Sequence, residues 1–106
     1  MKQQIENGCR ALGICLGHQA LALHLGFDIV GKQTCTQGVQ APVPIFGAQE
    51  LCGFYNSFEA VKDGVLCQVL EQQNTIGFQF HPESVMTQNG YNILATAIKK
   101  LFIMTP

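Results

Sequence analysis

Apolar positions along this chain fall into short blocks separated by glycine, proline and polar residues. From Cys9 to Ile14 they do not alternate with polar ones, which predicts a strand inside a sheet covered on both faces. Leu16 to Leu25 is apolar nearly all round, with Leu16, Ala20, Leu21, Ala22, Leu23 and Leu25, and predicts a buried helix stopped by Gly26. Phe27 to Val30 predicts a short strand, and Gly31 to Gly38 a polar loop. Val39 to Ile45 carries Pro42 and Pro44, so a strand there belongs at an edge or a bulge. Leu51 to Tyr55, Val65 to Leu70 and Thr75 to Phe80 predict further strands. In the last of these Ile76, Phe78 and Phe80 alternate with Gly77, Gln79 and His81, which puts His81 on the less apolar face. Asn89 is placed to cap a closing helix, Tyr91 to Phe102, with Ile93, Leu94, Ala97, Ile98, Leu101 and Phe102 on one side. At the other end, Met1 to Asn7 reads as the tail of a polar helix closed by Gly8. The order strand, helix, run of strands, helix predicts an α/β fold. An open parallel sheet needs several βα units, and one is evident here.

Composition narrows this picture. One hundred and six residues make one domain at most, residues 1–106, near the lower range for a self-sufficient α/β core. Hydrophobic residues make up 47% and charged ones 12%, so much of the surface is expected to be buried or to face a partner. A net charge of −1 offers no field for nucleic acid. No apolar run reaches the roughly eighteen residues of a membrane span, and the N-terminus is no signal peptide. The expected setting is cytoplasmic, without nucleic-acid or membrane partners. The five cysteines are odd in number and form no C-x-x-C pair, against a zinc site or a disulfide framework. No cofactor or metal is expected. Four cysteines read as small buried hydrophobes, and only Cys15 has a setting that would activate it.

That setting is Gly13-Ile14-Cys15-Leu16-Gly17, at the point where strand becomes helix. A cysteine there has the layout of a nucleophile elbow, whose tight turn requires small residues two before and two after it. The thiol would stand above a helix N-terminus whose free N–H groups favour thiolate. A plain buried turn has the same pattern. The second half of the chain supplies His81-Pro82-Glu83 at the end of a strand, which alone reads first as a surface turn. Together, a thiol, an imidazole and a carboxylate are the parts of an activated cysteine nucleophile. His81 would take the Cys15 proton and later pass it to a leaving amine. Pro82 holds His81 extended, so Glu83 would project to the same side and reach the far ring nitrogen.

Taken together, Gly13-Ile14-Cys15-Leu16-Gly17-His18-Gln19 and Gly77-Phe78-Gln79-Phe80-His81-Pro82-Glu83-Ser84 resemble the class I (triad) glutamine amidotransferases. The wording of Tyr55-Asn56-Ser57-Phe58 and Pro82-Glu83-Ser84-Val85-Met86-Thr87 is most similar to the amidotransferase parts of anthranilate, aminodeoxychorismate and phenazine-type 2-amino-2-desoxyisochorismate synthases. The resemblance implies a flavodoxin-like, open, mostly parallel sheet with flanking helices. It implies a catalytic triad of Cys15, His81 and Glu83 that hydrolyses L-glutamine and feeds ammonia to a chorismate-binding synthase. It also implies substrate contacts from Gln19, from the Leu16 N–H as an oxyanion donor, and from Ser57 and Phe58, although Ser57 could equally be a turn residue. Members of the family carry core strands and a Pro-Gly-Pro-Gly-like loop ahead of the elbow, and Met1 to Gly8 holds neither. The expectation is therefore a partial amidotransferase domain lacking its N-terminal strands. The competing expectation is an inactive remnant or docking module. A cysteine-based redox sensor on a similar elbow is a third reading, disfavoured because a sensor needs no histidine–carboxylate pair.

Overall fold

A computed structural model describes residues 9–72 and 74–103. The polar helix expected before Gly8 lies outside them. Among the described residues, eight strands and two helices follow in the order β1 (Ala11–Ile14), α1 (Leu16–His24), β2 (Asp28–Gly31), β3 (Val39–Ile45), β4 (Ala48–Phe54), β5 (Phe58–Lys62), β6 (Val65–Cys67), β7 (Val69–Gln72), β8 (Thr75–Phe78) and α2 (Gly90–Ile103).

The sheet that carries the chemistry has the order β1-β8-β7. β1 and β8 run parallel, with Gly13 opposite Gly77 and Ile14 opposite Phe78, so the ends of both strands emerge at the same edge. That single register brings residues more than sixty positions apart to one place. It is the parallel pair among the described strands; β7 lies antiparallel to β8. The other sheets are antiparallel, β2-β5-β6 and β3-β4. Asp63-Gly64 and Phe46-Gly47 turn their hairpins with positive φ at both residues, the geometry that matches the twist of paired strands.

α2 lays Ile93, Ala97 and Leu101 against Ile76, Phe78 and Phe80, and against Val43, Ile45, Cys52 and Phe54 from the β3-β4 ribbon. Phe80 is the centre of this core, stacked on Phe78 at 4.8 Å and edge-on to Phe54 at 6.1 Å. A smaller cluster, Leu21 and Leu70 with Ala11, Leu25, Phe27 and Cys67, lies under α1 on the other face. β1 is thus covered on both sides, as its unbroken apolar run predicts.

Several elements depart from expectation. β5 is not predicted, because Phe58-Glu59-Ala60-Val61-Lys62 has one fully buried position, Ala60, and no strong alternation. The predicted strand from Val65 to Leu70 divides at Gln68, one half pairing with β5 and the other with β8. β3, by contrast, lies at an edge as expected, in a two-stranded sheet, where it pairs with β4 residue for residue without a bulge and keeps both prolines exposed. α1 is not apolar inward on all sides: Leu16 and Leu23 are 75% and 61% exposed, while His18 and Gln19 are buried. α2 likewise leaves Ile98 and Phe102 outside the core. Asn89 does begin α2, accepting the Ile93 N–H on its carbonyl, but its side chain bonds Asn92 and Glu50. No helix among the described residues is long and apolar enough to cross a membrane.

Candidate active site

Cys15 sits between β1 and α1 with φ 56° and ψ −104°. A non-glycine residue with positive φ and this ψ is strained, and such strain persists only where the surroundings fix it. They do so here by the Cys15 N–H donating to Phe78 O at 2.7 Å and the Cys15 carbonyl accepting from Gln19 N at 3.0 Å. The glycine requirement is one-sided. A Cβ at Gly13 would come within 2.6 Å of the Gly17 backbone, whereas one at Gly17 would meet nothing within 4 Å. The smallness expected at both positions is needed at Gly13 alone.

The histidine approaches from a tight turn rather than the extended segment expected. Ser84 N–H closes back on the His81 carbonyl at 3.1 Å, and within that turn His81 Nδ1 meets Glu83 Oε2 at 2.7 Å. The turn is fastened to β4. His81 N–H donates to Gly53 O at 3.0 Å, and Thr87 Oγ1 donates to His81 O at 2.7 Å while accepting from Gly53 N at 2.9 Å. Tyr55 Oη and Ser84 Oγ share a hydrogen bond of 3.0 Å. Glycines allow the closeness: a Cβ at Gly53 would lie 2.7 Å from Met86 Cβ, and one at Gly90 would lie 1.8 Å from Pro82 O.

Tyr55 joins the two halves. Its ring stands edge-on to His81 at 5.5 Å between centroids, and its carbonyl lies 4.0 Å from Cys15 Sγ. Among the described residues no hydrogen bond links Cys15 directly to His81. The Glu83 charge nevertheless reaches the thiol and helps to raise its pKa. Burial is the largest influence and pushes the thiol up from its ordinary value of 9.0, with Leu16 N–H and then Gln79 pulling it back. The helix N-terminus thus favours thiolate as expected, but burial outweighs it.

Beside the thiol lies a cleft of about 320 Å³ lined by Cys15, Leu16, Gln19, Tyr55, Asn56, Ser57 and Phe58. All four residues expected to contact substrate, Leu16, Gln19, Ser57 and Phe58, are in its wall. A larger hollow of about 520 Å³, between Phe27, Val43 and Val65, lies apart from Cys15 and His81. Gln19 uses its amide donors inside the protein, to Phe58 O at 2.9 Å and Gln79 Oε1 at 3.1 Å. The Ser57 hydroxyl is shared with Cys35 Sγ at 2.8 Å.

Two features escape the sequence reading. Gln79, whose amide is 3.8 Å from Cys15 Sγ, is fully buried. The alternation of β8 places it on the same side as His81, and that is its signal. Cys35 is expected to be a buried hydrophobe; it is exposed, and Ser57, then Gln37, lower its pKa. Cys9 is exposed too. Among the five cysteines, therefore, Cys15 is not alone in a polar setting. His18, one turn into α1, is buried with Nε2 facing Cys67 O at 3.0 Å, so Nε2 carries the proton. Its other nitrogen packs on Gly77, where a Cβ would come within 2.5 Å.

A thiol on a strained strand–helix turn and a histidine–carboxylate turn thus follow the ends of one parallel strand pair in an α/β fold. The glutamine amidotransferase class I family model matches residues 1–62 and 48–101, and the chain belongs to that family. The phenazine-specific anthranilate synthase of Pseudomonas chlororaphis is 34% identical over 114 aligned residues, covering 90% of this chain and 18% of that protein. Anthranilate synthase component 2 of Vibrio parahaemolyticus is 30% identical over 122, covering 92% of this chain and 60% of that protein. The chain therefore spans less than two thirds of the length of these relatives. A Thermoplasma acidophilum protein, solved as a candidate GMP synthase component, shares the fold with a TM-score of 0.76 and 22% identity, over 95% of this chain and 62% of that one.

Proposed function

We propose that this chain is the glutamine-hydrolysing part of an amidotransferase, with Cys15 as nucleophile, His81 as general base and acid, and Glu83 as the partner that orients His81. The observation that carries the reading is the cleft walled by Cys15, Leu16, Gln19, Ser57 and Phe58, with Tyr55 in the same wall standing edge-on to the ring of His81, which bonds Glu83. Cys15 Sγ attacks the side-chain amide carbon of L-glutamine as its proton passes to His81. The carbonyl oxygen gains negative charge, which the Leu16 N–H at the start of α1 stabilises. Collapse breaks the C–N bond, His81 returns the proton to nitrogen, and ammonia leaves a glutamyl thioester. Water then adds to the thioester carbon, giving its proton to His81. The C–S bond breaks, the thiolate recovers that proton, and glutamate departs. The acceptor of ammonia would be a chorismate-binding synthase, as the anthranilate synthase relatives favour.

One observation favours a second reading, an inactive module that docks on such a synthase: Leu16 is 75% exposed and the elbow has open space over Gly17. Glutamate release by the purified chain, alone and with a chorismate-binding synthase, compared with Cys15→Ala, separates the two. Release that vanishes in the variant supports hydrolysis. No release in either setting, from a folded sample, leaves the docking module.

A further inference from the structure

Gln79 belongs to no element of the expected triad, yet it touches the sulfur that the triad would activate. We propose that Gln79 donates a hydrogen bond that favours the thiolate form of the Cys15 sulfur, and that Gln19 fixes the direction in which it donates. The inference rests on the proposed role of Cys15 and adds to it a second layer of control.

The orientation of one amide decides the matter. Gln79 is 1% exposed, and its main-chain N–H donates to Gln68 O at 2.9 Å, so its backbone is anchored beside β7. Its side-chain oxygen accepts from Gln19 Nε2 at 3.1 Å. Turning the amide over would set two NH₂ groups against each other. Gln19 cannot turn to relieve that clash, because its own Nε2 also donates to Phe58 O at 2.9 Å. Both amides are thus locked, and the Gln79 NH₂ is left aimed at Cys15 Sγ, 3.8 Å away. A donor so directed favours the charged form of sulfur, since a bond to an ionised acceptor is stronger than one to a neutral thiol.

The other donor near the sulfur, the Leu16 N–H, has two claims on it. When a substrate carbonyl becomes an oxyanion it needs that same N–H. Gln79 is the donor that stays with the sulfur throughout, including the step in which thiolate leaves the acyl carbon. Its opponents are burial and Glu83, whose charge reaches the thiol from the His81 turn. His81 faces the site through Tyr55, and His18, on α1, points away toward Cys67. Because Phe58, Gln19 and Cys15 also wall the cleft, a molecule bound there presses on the same locked chain.

The test is the pH dependence of Cys15 alkylation by iodoacetamide, in which the thiolate displaces iodide. The other four cysteines require that it be read on the Cys15 peptide by mass spectrometry. Gln79→Leu is expected to raise the alkylation midpoint and slow alkylation at pH 7 by about tenfold. Gln19→Leu should shift it the same way by less, since Gln79 keeps its donor but loses its direction. A Gln79→Leu midpoint equal to that of the parent chain, in a folded sample, overturns the proposal. Should Gln79→Leu fail to fold, Gln19→Leu decides by the same criterion. Alkylation requires no glutamine hydrolysis, so a chain inactive toward glutamine can still bear out the role of Gln79, and an active one can refute it.

Discussion

Around His81 the chain is tied at every step: His81 N–H and carbonyl, Thr87 and Ser84 all bond, joining the turn to β4 and to itself. Around Cys15 the support is sparser. Phe78 O and Gln79 hold it from the β8 side, Gln19 N–H from α1 and Tyr55 O from the end of β4, whereas Leu16 is 75% exposed and Gly17 faces open space. The difference shows where the geometry of a site must be built in. A histidine–carboxylate pair can be assembled by a short turn with local bonds. A strained nucleophile needs a sheet beneath it and neighbours on both sides.

The most severe way to break the braced flank is Gly90→Ala. The new Cβ would stand 1.8 Å from the Pro82 carbonyl, backbone against backbone, so α2 must retreat and carry the turn with it. A loss of about 3 kcal/mol in urea unfolding is expected. A loss below about 1 kcal/mol would show that the turn is held by its own bonds and not by the start of α2.

Glu83→Gln attacks the same turn without disturbing its fold, since Glu83 is exposed and its partner is His81 Nδ1. Two effects of opposite sign are expected. The Cys15 thiol should ionise at lower pH, because a negative field that raises its pKa is gone. Glutamine hydrolysis should nonetheless fall by about 10²-fold, as the imidazole loses the group that orients it. Turnover that rose with the fraction of thiolate would contradict the role given to Glu83.

On the elbow flank the weak point is electrostatic. His18 is buried, and burial, its largest influence, lowers its pKa from the ordinary 6.5, with the Cys67 and Gly77 backbones partly opposing. The unfolded chain therefore takes up this proton first on acidification. The contribution to stability is complete above about pH 6.5 and declines below it toward the folded pKa, at no more than about 1.4 kcal/mol per pH unit. Urea midpoints between pH 7.5 and 5.5 should fall in the parent chain and fall less in His18→Gln. Equal slopes would mean that His18 is protonated as easily in the fold as outside it.

The same asymmetry explains what can be read from the sequence. Cys15, His81 and Glu83 are legible because each sits in a short run whose glycines, proline and spacing have local causes. The cleft residues Leu16, Gln19, Ser57 and Phe58 come from resemblance, and their convergence depends on β1 meeting β8 and on α1 lying over β5. Gln79 stands within a motif yet has no task there, because its contact with sulfur exists only across the parallel pair. The exposed Cys35 and the exposed sides of α1 and α2 defy expectation for a related reason: an apolar residue or cysteine names a preference, and the neighbouring elements decide whether it is met. β5 is hidden because one buried alanine leaves no periodic mark.

The smallest effect gives the sharpest comparison. Gly17 lies in α1 with nothing within 4 Å of the place a Cβ would take, while the glycine it mirrors, Gly13, would collide with the Gly17 backbone and with Leu21. Replacing a helical glycine by alanine stiffens the unfolded chain and costs nothing where space is free. Gly17→Ala should therefore stabilise by about 0.5–1 kcal/mol, read from urea midpoints. Gly13→Ala should destabilise by about 2 kcal/mol, as overpacking does in a filled site. If both substitutions destabilised alike, the elbow would be closed on its outer flank as tightly as the His81 turn is on β4, and the contrast between the two halves of the cleft would disappear.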